Sequence, residues 1–163
     1  LMGRDFTRDR AQAGVNQLLN YGYTILRASM CRAIVSSGLN PTFGIHHSSM
    51  TNPFQLVDDL MEPYRPLMDL KVQKLASQGT FKLDAATKTF LAETMQEQVP
   101  ENGSGPLMNH LYRLANSYRD LICGEQMNIA IPLPRSTKKP IRALRKEDDQ
   151  AKRISPNVAS RNV

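Results

Sequence analysis

The stretch GVNQLLNYGYTILRASMCRAIVSS, residues 14–37, decides the fold. Its apolar side chains fall at Leu18, Leu19, Ile25, Leu26, Met30, Ala33 and Ile34, a spacing that predicts one long amphipathic helix. Gly38 follows where a helix ends most cheaply in the left-handed conformation, and Pro41 forbids resumption. No segment of the chain sustains the two-residue alternation of a half-buried strand. The partners of this helix are therefore other helices, and the fold class is all-α.

Working outward, residues 39–52 form a connecting loop. Asn52-Pro53 starts the next helix, with Asn as cap and Pro in the first turn, where a missing N–H costs nothing. That helix runs from 53 towards Ser77, with Phe54, Val57, Met61, Leu67, Leu70 and Val72 available to the core. Pro63 and Pro66 predict a kink near Glu62, where the backbone loosens. Asp84 caps a third helix over 85–97, closed by Pro100 and the polar linker ENGSG. A fourth helix spans 106–122, with Leu107, Leu111, Leu114, Ala115, Tyr118 and Leu121 on one side and Gly124 as its stop. The one β-like stretch, MNIAIPLP, is short and proline-broken. The expected architecture is a multi-helix domain over 1–134 followed by a basic, disordered tail over 135–163.

Charge supports that division. The chain of 163 residues carries a net +6, and residues 135–163 hold nine Lys/Arg against three acids, so the whole surplus lies in the tail. No run of eighteen apolar residues and no signal peptide is present, which excludes a helical membrane span and points to the cytoplasm. Cys31 and Cys123 lack metal or redox spacing and read as two buried thiols in a reducing compartment.

Function concentrates in GIHHSSMTNPFQLVDDLMEPYRP, residues 44–66. Asp59 and Glu62 are spaced i, i+3 and Asp58 and Glu62 i, i+4, so either pair can share a helix face. Carboxylates held that close repel unless a cation lies between them. Mg²⁺ and Mn²⁺ accept carboxylate oxygen, and Mn²⁺ also accepts imidazole from a loop histidine. The alternatives stay open at this level. Acids in a first helical turn complement the helix dipole without any ligand, and a loop His pair is more often a hydrogen-bonded structural feature than a metal site. A helical phosphohydrolase would want an adjacent His-Asp pair, which the chain lacks. Elsewhere, LNYGY (19–23) reads as a helix–helix contact, Arg65 and Asp69 as an i, i+4 pair, and His110 as a surface residue. The tail segment RSTKKPIRALRK has the composition to clamp phosphates, although a solvated tail with no partner is just as common.

Residues 16–69 resemble the helical domain of the CRISPR-associated spacer integrase, Cas-one, in its type II branch. The LNYGY helix, the GL-P-FGIHH loop and the DDLMEP-RP helix occur together and in order, and LMGRDFTR at 1–8 is similar to the segment preceding that domain. The resemblance covers about residues 1–122 and is absent from the tail. It implies a metal-dependent DNA endonuclease and integrase of antiviral defence in a prokaryotic cytoplasm. Such an enzyme inserts captured fragments into the repeat array by 3′-OH attack on the repeat backbone. The partners implied are double-stranded DNA (captured fragment and repeat), a second copy of the chain, and a Cas-two dimer.

By the same resemblance, His47 and Glu62 are metal ligands for Mg²⁺ or Mn²⁺, Asp59 is an auxiliary catalytic acid, and His46 supports the loop. His47 must ligate as the neutral ring, its other nitrogen held by an acceptor. The family's remaining ligand is a Glu upstream, and Glu62 is the first glutamate here. The family's N-terminal β domain is missing too. The chain therefore reads as the C-terminal half of an integrase, with weak metal affinity and little catalysis of its own. The rival reading is a non-catalytic helical DNA-binding or assembly module.

Overall fold

The computed structural model describes residues 14–49, 51–99 and 105–129. Among them the chain is all-α, with five helices: α1 (Val15–Ser36), α2 (Gln55–Met61), α3 (Arg65–Ser77), α4 (Ala85–Glu93) and α5 (Leu107–Ile122). The only β pairing among these residues is an isolated bridge between Gln98 and Pro106. No helix among them is long and apolar enough to cross a membrane. The expected tail, and most of MNIAIPLP, lie outside the described residues.

Helix α1 is the central element, packing against α2, α3, α4 and α5. Two apolar clusters cover it. One joins Leu26, Met30 and Ile34 to Val57 and Met61 of α2, Met68 of α3, and Leu111 and Leu114 of α5. The other joins Leu18 and Leu19 to Val72, Leu75 and Leu91. Within LNYGY, Gly22 is the close contact: a Cβ there would stand 3.4 Å from the Met68 sulfur, so α1 and α3 approach across it. The C-terminus of α1 ends as its sequence predicts, with Gly38 at φ 78°.

Pro63 and Pro66 interrupt the second helical stretch, as the sequence requires, by tightening rather than loosening it. Neither proline can donate, so the remaining bonds shorten to i−3: Glu62 N–H donates to the Asp59 carbonyl and Arg65 N–H to that of Glu62. The result is a 3₁₀ turn, Glu62–Tyr64, with Tyr64 wholly buried at the joint and its hydroxyl donating to the His110 carbonyl. Burial pushes the Tyr64 phenol well above its usual range.

Several sequence expectations change. The second helix begins at Gln55, because Asn52 Oδ1 accepts the Phe54 N–H and makes a turn before the helix forms. Asp84 caps α4 through the Thr87 N–H, but α4 stops at Glu93 and a 3₁₀ turn over Thr94–Gln96 completes the segment. Phe54 and Leu70, expected in the core, are 37% and 49% exposed. Cys123 is exposed and Cys31 half-buried, so they are not two buried thiols. His110, expected at the surface, is fully buried. Arg65 pairs with Glu62 at 3.0 Å, and Asp69 instead accepts the Tyr23 hydroxyl.

Candidate metal and phosphate site

The loop between α1 and α2 folds around one carboxylate. Asp59 Oδ2 accepts the N–H groups of Ile45 (2.6 Å) and His46 (2.9 Å), and both its oxygens face the His47 N–H at 3.3 Å. Three consecutive backbone donors thus converge on an acid in the second turn of α2. Gly44 permits the approach: a Cβ there would stand 2.4 Å from the His47 carbonyl oxygen and 3.1 Å from Asp59 Oδ2. Farther along, Gln55 closes the loop on Ser49, donating to its carbonyl and accepting its N–H.

The His47 ring completes the arrangement. Its Nδ1 lies 2.5 Å from Asp59 Oδ1. Partial burial pushes the Asp59 carboxyl up, but the donors from His46, the His47 ring and Ile45 outweigh it and hold the group below the usual carboxylate range. Against an ionised Asp59, the tautomer of a neutral ring that makes this bond carries its proton on Nδ1 and leaves Nε2 with a lone pair. The His46 ring stands edge-on to His47, centroids 5.9 Å apart, and its backbone rather than its ring engages Asp59.

Asp58 turns elsewhere. It accepts Arg27 Nε at 2.7 Å and Nη2 at 2.8 Å, with Asn52 Nδ2 at 2.8 Å. The Asp58–Asp59 pair is therefore split, one acid ordering the His loop and the other anchoring α2 to α1. Arg27 and Asn52 were not singled out as site residues in the sequence. The available signal was a polar stripe on α1, Asn20, Tyr23, Thr24 and Arg27, at helical spacing.

His47, Glu62, Arg27, Asp58, Asn52 and Arg65 share the wall of one polar cavity of about 740 Å³. Of the predicted site residues, His47 and Glu62 are thus brought to one cavity, and Asp59 stands behind His47. Among the described residues no three His, Cys, Asp or Glu side chains converge as a metal-binding group. The chemistry of the donors fits a hard or borderline divalent cation: one presented imidazole nitrogen and one half-exposed carboxylate. Glu62 shares its charge with Arg65, which competes with any cation.

Comparison with known proteins decides the family. Residues 3–100 match the family described as CRISPR associated protein Cas1. The chain belongs to the Cas1 family. It is similar to the CRISPR-associated endonuclease Cas1 of Neisseria meningitidis serogroup C, 44% identical over 101 residues that make up 61% of this chain and 33% of that protein. A Cas1 of Pyrobaculum aerophilum is 34% identical over 125 residues, 74% of this chain and 41% of its relative. The chain thus spans about a third to two fifths of the length of these two relatives. In fold it is similar to a casposase bound to integration product, with a TM-score of 0.67, 22% identity, and coverage of 85% of this chain and 47% of that one. The cavity residues His47, Asp58 and Glu62, and Asp59 behind His47, all lie inside the segment that matches the Cas1 family.

Proposed function

We propose that this chain is the helical, metal-binding half of a Cas1 spacer integrase of the type II branch. His47 and Glu62 are its two metal ligands, for Mg²⁺ or Mn²⁺, and Asp59 is the acid that orients His47. The observation that carries this reading is the Asp59–His47 contact at 2.5 Å, which leaves the Nε2 lone pair for the cavity that Glu62 also lines. A carboxylate behind a ligating imidazole is the arrangement that fixes tautomer and raises ligand basicity at metal sites.

When bound, a divalent ion at such a site polarises a scissile phosphodiester and stabilises charge on the attacking and leaving oxygens. The residues of this chain do the rest. Asp59 holds the loop and the ring, Glu62 supplies negative charge from a rigid 3₁₀ turn, and the polar wall admits a phosphate backbone. The substrates proposed are double-stranded DNA, both captured fragment and repeat, and the proposed partners are a second copy of the chain and a Cas2 dimer. A third ligand from outside the described residues would complete the shell, so the site in this chain binds metal weakly.

Calorimetric titration of Mn²⁺ into the full chain tests the assignment. Weak binding is expected, lost in His47→Ala and Glu62→Ala while helicity by circular dichroism stays unchanged. Equal binding by wild type and both variants refutes the metal site and favours a non-catalytic DNA-binding module.

A further inference from the structure

Two guanidinium groups on the wall of the His47–Glu62 cavity carry donors that no described residue uses. Arg27 commits three of its N–H groups, Nε to Asp58 and Nη2 to both Asp58 (2.8 Å) and Asn52 (3.1 Å). Its Nη1 donates to nothing among the described residues. The Phe54 ring lies 4.9 Å from the guanidinium carbon, so the plane is fixed on a face as well as on its edges. Arg65 is placed similarly. Nη1 donates to Glu62, the Tyr23 ring lies 5.3 Å away, and Nε is buried without an acceptor.

Both side chains are partly exposed, so their spare donors face the cavity and its solvent, and only Arg65 Nε is buried without an acceptor, a cost that a ligand oxygen would remove. The acids lining the cavity are already engaged by these arginines: Asp58 accepts from Arg27 and Asn52, and one oxygen of Glu62 accepts from Arg65. Because Asp58 cancels most of its charge, Arg27 adds little long-range attraction. It adds directional donors at short range, as a positioning contact does and a basic patch does not.

We propose that Arg27 and Arg65 are phosphodiester-contacting residues of this cavity, and that Asp58 and Asn52 are positioning residues holding Arg27 for that contact. The inference rests on the cavity's taking a DNA backbone, as proposed above, and is independent of the metal.

The test uses the full chain, chelator to exclude metal, and fluorescence anisotropy with a short duplex bearing single-stranded 3′ ends. Arg27→Lys is expected to weaken binding about tenfold, because an ammonium cannot reproduce the fork and a bond to a charged group is lost. The same measurement is repeated with a neutral methylphosphonate at one linkage at a time. At the linkage Arg27 contacts, wild type and variant become equal. Asn52→Ala shifts the same linkage to a smaller extent. Uniform weakening at every linkage, or none, overturns the proposal, since a structural arginine distinguishes no phosphate. Should Arg27→Lys fail to fold, Arg65→Gln carries the same test, because its partner Glu62 is half-exposed and survives alone. Linkage-specific loss with no Mn²⁺ binding sinks the metal reading only. Mn²⁺ binding without linkage-specific loss sinks this one, and no binding of either kind sinks both.

Discussion

Replacing Asp59 with Asn removes one charge and alters almost no volume, yet it strikes the point where the His loop is assembled. The native carboxylate accepts the N–H groups of Ile45, His46 and His47 and the His47 ring. In the variant one acceptor oxygen becomes an NH₂ that faces donors. A bond to a charged acceptor contributes roughly 1.5–3 kcal/mol, and because residues 45–47 are exposed and regain water, two losses at the lower end give about 3 kcal/mol. That cost is local. The Asp59 side chain is only 7% exposed, but the apolar clusters around α1 do not include it. Amide hydrogen exchange followed by NMR is the assay. The amides of residues 45–47 should lose over a hundredfold of protection, while those of Leu26 and Met30 change far less. The Asp59 carboxyl sits below its unfolded value, so its contribution is complete above about pH 4 and disappears as acid titrates the folded group. The wild-type loop should therefore open only in acid, and the Asn variant should show no such transition. Unchanged protection at residues 45–47 in the variant would refute the claim that Asp59 organises the loop.

Other substitutions probe the remaining elements. His110→Leu replaces a fully buried ring whose two nitrogens have no partner among the described residues, and it should stabilise the domain by about 1 kcal/mol in urea unfolding; destabilisation would show that the ring is satisfied. Gly44→Ala places a methyl 2.4 Å from the His47 carbonyl, so the loop must shift at a cost of about 2 kcal/mol. Mn²⁺ affinity, read by calorimetry, should fall in that variant though no ligand is touched, and an unaltered affinity would mean the loop's path is irrelevant to the site. Asp84→Ala removes the acceptor of the Thr87 N–H, so exchange at Thr87 should rise and the melting temperature fall slightly. The wild-type cap should weaken in the same way as pH drops below the ordinary carboxylate range, because the Thr87 N–H holds Asp84 low.

The helices were legible because their signals are local. Gly38, Asp84, Gly124 and the two prolines each act within a turn of themselves, and each ends or caps a segment where the sequence places it. Where the reading failed, the cause was a local turn, an overlooked periodicity or a tertiary contact. His110 was assigned to the surface from its polar neighbours, although Leu107, His110, Leu111 and Leu114 follow the i, i+3, i+4, i+7 pattern of a buried stripe. Asp58 and Asp59 are the harder case. Adjacent helical residues project roughly 100° apart, so a DD pair on α2 cannot act as one acidic unit. Asp59 faces the loop that precedes the helix, within reach of sequence reasoning. Asp58 faces Arg27, 31 positions away on α1, a partner that only the packing of α1 on α2 supplies. The two acids thus receive different work from the geometry alone. Asp59 orders the His loop and engages the His47 ring, and Asp58 holds the Arg27 guanidinium in a fixed fork beside it. On the proposed reading, a cavity that aligns a phosphate against a cation needs both, and a single turn of α2 carries the two acids.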